Sequence, residues 1–129
     1  MKLVKLVGSC VVIVSSIGMG PRPASAQNSQ VTPQEIQSSW VGKTMVGTIG
    51  GGAAAGKPIE FTMNSDGTAT LSGAVVDTGT WRMSEQGYCA TWKKVRSGQE
   101  RCFTVIRKGF DQQVNNPDGT LSTTIVEIR

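Results

Sequence analysis

The residues from which chemistry could be built in this chain of 129 are nine carboxylates, three cysteines and a run of cations, with no histidine at all. Without histidine the usual serine and cysteine triads have no base. Cys89 and Cys102 form no Cys-x-x-Cys motif and have no imidazole nearby to lower a thiol pKa, so a redox role has little support. Two thiolates also fall short of the four ligands that a structural zinc takes. Glu60, Asp66, Asp77, Glu85, Asp111 and Asp118 stand mostly in turn sequences, where aspartate is favoured for backbone reasons. No acid–base pair can be named among them. The expectation is a protein that is not an enzyme and needs neither metal nor cofactor.

Two groups of side chains remain that could recognise something. Lys93, Lys94, Arg96, Arg101, Arg107 and Lys108 cluster around the cysteine pair, with only Glu100 interrupting them locally. Such charge can simply protect a solvated hairpin from edge-to-edge pairing. It can also dock an anionic partner, such as an envelope component, an acidic polymer or an acidic protein surface. Trp40, Phe61, Trp81, Trp92 and Phe103 are the large apolar anchors. They either fill a core or line a cavity for a small apolar ligand, and alternation along strands does not separate the two.

The first residues read as an export signal. Met1, Lys2 and Lys5 make a short positive start, residues 6–17 are apolar, and Ala24-Ser25-Ala26 has the small-x-small form of a cleavage site. The apolar run is shorter than the roughly 20 residues of a membrane-spanning helix. Cleavage between Ala26 and Gln27 leaves 27–129 as one secreted domain, periplasmic or extracellular. The whole chain has 13 basic and 9 acidic residues; Lys2, Lys5 and Arg22 leave with the signal, so ten basic residues face nine acidic ones. That near-balance argues against nucleic acid as a partner. Cys10 leaves too, and an even pair in an exported chain points to a Cys89–Cys102 disulfide.

The elements that must position these residues are mostly strands. Thr32-Pro33-Gln34-Glu35 opens a helix of about two turns as a capping box with proline at the first helical position. Strands are expected at 43–49, 58–63, 68–75, 80–84, 88–95, 101–108 and 120–128, on the alternation of apolar and polar residues. Residues 27–31 read as a frayed start. Asp77-Thr78-Gly79 reads as a turn, 50–56 as a glycine–alanine loop, and 109–119 as a longer loop. Strands and turns at this spacing indicate an all-β, antiparallel up-and-down barrel of seven to eight strands, with a sandwich as the alternative. Twelve residues separate the cysteines, and a turn centred on Ser97-Gly98 does not put them opposite each other. The hairpin therefore needs a bulge or an asymmetric loop, or else carries a diagonal bridge.

A short helix followed by Trp40 and Gly42 at the first strand, then a meander, resembles the lipocalin-like (calycin) barrels. The Gly-x-Trp motif of that group is not matched at Trp40 and occurs instead at Gly79-Thr80-Trp81. With Cys89-x-x-Trp92 and Cys102-Phe103, the chain is similar to small secreted bacterial barrels of uncharacterised function. A more distant resemblance is to periplasmic metalloprotease-inhibitor barrels with a single disulfide. The resemblance implies a non-enzymatic binding protein for a small apolar or amphipathic ligand. The alternative it implies is a protease inhibitor or interaction barrel acting through residues 27–31 or the loops at 50–56 and 109–119.

Overall fold

The structure, a computed structural model, describes residues 29–129; the expected signal segment and its Ala26–Gln27 cleavage point lie outside the described residues. The elements are β1 (Gln30–Val31), α1 (Pro33–Trp40), β2 (Thr44–Ile49), β3 (Pro58–Met63), β4 (Thr68–Gly73), β5 (Asp77–Met83), β6 (Tyr88–Trp92), β7 (Arg101–Lys108), β8 (Asp111–Asn115) and β9 (Leu121–Ile128). From β2 to β9 each strand pairs antiparallel with the next, and β9 returns to β2. Eight strands thus close an up-and-down barrel, and the sandwich alternative falls. Closure removes the open edges that a sheet of this size would otherwise expose.

Alternation decides which side chains fill the barrel. Met45, Phe61, Met63, Ala69, Tyr88, Ala90, Trp92, Phe103, Val105, Val114 and Ile125 are buried in one cluster. Each large apolar side chain contributes about 1.5–3 kcal/mol by leaving water. Two glycines allow the strands to coil this tightly. A Cβ at Gly79 would lie 2.0 Å from the Thr91 carbonyl oxygen, and one at Gly47 would lie 1.9 Å from that of Thr124. Gly47 also sits at a register shift in the β2–β9 pairing, as expected where a barrel wall bends. The Gly79-Thr80-Trp81 triplet therefore has a packing reason of its own in this chain.

Helix α1 seals one end. Thr32 caps it, accepting the Glu35 N–H at 3.1 Å on its side-chain oxygen. Ile36 and Trp40 are fully buried. The Trp40 ring meets Tyr88 at 5.5 Å and Phe61 at 6.4 Å between centroids, and its Nε1 donates to Gln112 Oε1 at 3.1 Å. Glu35 pairs with Arg107, locking the outer face of α1 to β7. The Arg107 hydrogen bond outweighs burial and holds the Glu35 carboxyl below its ordinary range.

Three readings from sequence are corrected. Asp77, Thr78 and Gly79 are strand, not turn, and the chain reverses at 74–76 instead. Asp77 is buried because its carboxylate has backbone partners, and Gly79 is there for close approach. Within the expected loop 109–119 lies β8, paired on both sides with β7 and β9. Its sequence, Asp-Gln-Gln-Val-Asn, has a single apolar residue and so shows no alternation. Gln30 and Val31 are not frayed: they pair with Ile106 and Val105, continuing the β7 edge beyond the end of β6.

Candidate functional site

The end of the barrel away from α1 is open and leads into a cavity of about 620 Å³. Its wall comes from inward positions of seven strands: Met45, Ile59, Phe61, Leu71, Tyr88, Ala90, Trp92, Phe103, Val114 and Ile125. Its rim comes from the connections at that end, through Gly50, Gly51, Gly52, Val75, Val95, Arg96, Asn116 and Thr120. Pockets of about 300–1,000 Å³, mostly apolar with a few polar groups, are the usual form of a small-molecule site.

Burial separates wall from floor. Trp40, Met63 and Val105 near the helix are wholly sealed and do not line the cavity, whereas Phe61, Tyr88, Trp92 and Phe103 face inward and still keep 5–7% of their surface accessible. Solvent-sized space therefore reaches the aromatic wall from the mouth. The wall rings form one chain of contacts. Phe61 stacks on Tyr88 at 5.8 Å, Tyr88 on Phe103 at 5.2 Å, and Phe61 meets Trp92 edge-on at 5.7 Å. Each such pair adds about 0.5–1.5 kcal/mol beyond area burial.

The five aromatics singled out from sequence divide. Phe61, Trp92 and Phe103 line the cavity; Trp40 is part of the floor beneath it. Trp81 is only partly buried, lies outside the cavity and donates its Nε1 to the Asn64 carbonyl at 2.7 Å, beside the β3–β4 turn. Tyr88, absent from that set, is at the centre of the wall. The sequence signal for it is its alternation with Ala90 and Trp92 on one face of β6; the structure then pairs it opposite Phe103.

The six cations also divide. Lys93, Lys94, Arg96 and Arg101 stand at the mouth end of the β6–β7 hairpin. Arg107 and Lys108 lie six and seven residues further along β7, roughly 20 Å away at strand spacing, at the end that α1 closes. Arg107 is spent on Glu35. The single continuous patch expected from sequence does not form, because β7 runs the length of the barrel wall.

The disulfide joins directly opposed residues, with a Cα–Cα distance of 3.9 Å. The asymmetry expected of the hairpin lies in its loop: β6 leaves the ladder after Ala90, and a 3-10 turn spans Val95–Gly98. Arg82 and Glu100 form a two-bonded ion pair, both contacts 2.8 Å, on the outer face beside the bridge. From the start of β5, Asp77 fixes the hairpin loop. Its Oδ2 accepts the N–H of Lys94 at 2.9 Å and of Val95 at 2.8 Å, and its Oδ1 accepts that of Thr78 at 2.8 Å. Burial pushes the Asp77 carboxyl up, but these three N–H groups outweigh it and hold it below its ordinary range.

Among the described residues, Arg96 is the one charged residue lining the cavity. Its guanidinium lies 5.4 Å from the centre of the Phe103 ring and donates to Asn116 Oδ1 at 3.2 Å. Burial, then the like charge of Arg101, push its pKa down, although an arginine stays protonated in proteins. Asn116 is itself held by the β8–β9 turn, where its amide donates to Thr120 Oγ1 and Asp118 accepts from the Thr120 backbone and hydroxyl. The chain thus builds a cation into the lip of an apolar cup. Comparison with family models, curated proteins and solved structures finds no match for this chain, so what the cup does is read from its own geometry.

Proposed function

We propose that this protein is a non-enzymatic binding barrel, exported to the periplasm or beyond, that holds a small apolar or amphipathic ligand. The observation that carries this reading is the open cavity of about 620 Å³ whose inward aromatic wall stays accessible while its floor is sealed. Two features support a role without catalysis: the chain has no histidine, and among the described residues no carboxylate lines the cavity. The Ala24-Ser25-Ala26 motif and the Cys89–Cys102 bridge support export. An eight-stranded closed barrel with one sealed end agrees with the lipocalin-like reading of the sequence.

The inhibitor or interaction reading, through residues 27–31 or the loops at 50–56 and 109–119, gains less support. Gln30 and Val31 are paired with β7, the Ser29 carbonyl accepts the Arg107 N–H at 2.8 Å, and β8 takes up much of 109–119.

Trp92 lines the wall, so its emission reports occupancy. Titration with a neutral aromatic probe, N-phenyl-1-naphthylamine, is expected to give saturable binding and energy transfer from tryptophan. A flat titration, together with a native mass spectrum of protein from its own compartment that shows no bound small molecule, would overturn the reading.

A further inference from the structure

Resting on the cavity reading, we propose that the ligand is a single-chain carboxylate amphiphile, its acid head held at the mouth by Arg96 and its apolar body laid against the aromatic wall.

The argument begins with what Arg96 lacks. Among the described residues three ion pairs form: Arg82–Glu100, Arg107–Glu35 and Arg129–Glu60. Arg96 is in none of them. Its side chain has one hydrogen bond, to a neutral amide, and the face of a ring. A guanidinium carries five N–H donors in a planar fork, so most of its capacity is open. The nearby acids do not fill it. Glu100 is held by Arg82, and the Asp77 carboxylate is occupied by backbone N–H groups. A half-buried cation without a counter-charge is unfavourable unless something completes it.

The loop is built to hold Arg96 where it stands. Arg96 and Ser97 both have φ of +55°, a left-handed backbone that non-glycine residues adopt at an energetic cost. Asp77 fixes the two residues before them, and the disulfide closes the hairpin below. Strain of this kind persists where the surroundings over-determine it, and here they direct a cation over Phe103 at the lip of the cavity.

The deeper polar group fits the same ligand. The Tyr88 hydroxyl belongs to a residue lining the cavity and forms no side-chain hydrogen bond among the described residues; it is not sealed either, since no fully buried side-chain polar atom there lacks a partner. Burial pushes the phenol pKa up, opposed by the positive field of Arg96, so the group is a neutral donor close to that cation. One guanidinium matches one carboxylate in charge and, through its fork, in geometry. The wall below it is apolar, which suits an alkyl or aryl body rather than a second charge.

The experiment compares dodecanoate with 1-dodecanol, equal in chain and different in head, by tryptophan fluorescence and calorimetry at neutral pH below micelle concentrations. The unaltered protein should bind the acid roughly tenfold to a hundredfold more tightly, the worth of a hydrogen bond to a charged group. Arg96→Gln should remove that preference and leave the affinity for the alcohol in place. If the unaltered protein binds the alcohol as well as the acid or better, the carboxylate inference is overturned and the cavity reading stands. If Arg96→Gln binds normally and keeps the preference, Arg96 is not the head-group site. Failure of both compounds and of the neutral aromatic probe sinks the cavity reading itself. The comparison on unaltered protein does not depend on how any variant folds.

Discussion

Asp77, the first residue of β5, sets the place of Arg96 across the barrel mouth without touching it. It does so through the N–H groups of Lys94 and Val95, which its Oδ2 accepts at 2.9 and 2.8 Å. A carboxylate on one strand thereby dictates where the next hairpin presents its cation. Asp77→Ala should leave the barrel folded but free the amides of Lys94 and Val95. Hydrogen exchange at those two positions is expected to accelerate far more than at Tyr88 or Val105.

The same contact has a pH signature. The Asp77 carboxyl is held below its ordinary range when folded, so its contribution is complete above the unfolded value near 3.8 and is lost as pH falls through the lower folded value. Urea midpoints followed from about pH 6 to about pH 2 should fall for the unaltered protein. The gap between it and Asp77→Asn should be constant at the upper end and close at the lower. A gap that widens with acid would show that the sign is wrong.

Removing the bridge by Cys89→Ser with Cys102→Ser should lower stability by about 3 kcal/mol, the chain-entropy value for a loop of this length. Guanidinium unfolding measures it. The loss should include the placement of the 93–100 loop, so the double variant is also expected to weaken the acid preference more than it weakens binding of the alcohol.

Trp40→Ala removes the largest fully buried side chain, from the floor that α1 makes. Deletions of this kind cost about 3–5 kcal/mol, and loss of the Gln112 hydrogen bond leaves an unpaired amide in addition. Thermal unfolding should shift well beyond the effect of Thr32→Ala, an N-cap loss of about 1 kcal/mol.

Ala90→Phe tests whether the barrel is hollow. Ala90 lines the cavity between strand neighbours Trp81 and Arg101. A packed core would reject the added ring at a cost of about 1–3 kcal/mol. With open space beside it, the variant should unfold at nearly the same denaturant concentration and lose binding of the neutral probe. A strongly destabilised variant would argue that the space is already filled.

A turn motif explains the main omission in reading the strands. Asn64-Ser65-Asp66-Gly67-Thr68 and Asn116-Pro117-Asp118-Gly119-Thr120 share a pattern and the same bonds. In each the asparagine amide donates to the threonine hydroxyl, and the aspartate accepts from the threonine backbone and hydroxyl. The first joins β3 to β4, and the second joins β8 to β9. Its recurrence is a sequence signal that a strand precedes residue 116, although Val114 alone shows the alternation. Closure depends on that strand, because β8 bridges β7 to β9.

What the chain determines locally is what local forces control: the capped helix at Thr32, the inward alternation of β3, β6 and β7, and a cysteine pair on one hairpin. These follow from backbone preference and from period, which are properties of neighbouring residues. The tertiary structure decided what depends on distance through space. It split the six cations between two ends, because β7 spans the wall. It turned Asp77 from a turn residue into an anchor, because β6 brings Lys94 and Val95 back beside it. It separated Trp40 and Trp81 from Phe61, Trp92 and Phe103, because inward direction alone does not say how far a residue lies from the sealed end. Whether an apolar interior is filled or hollow is a matter of summed volume against barrel circumference, and no single segment carries that sum.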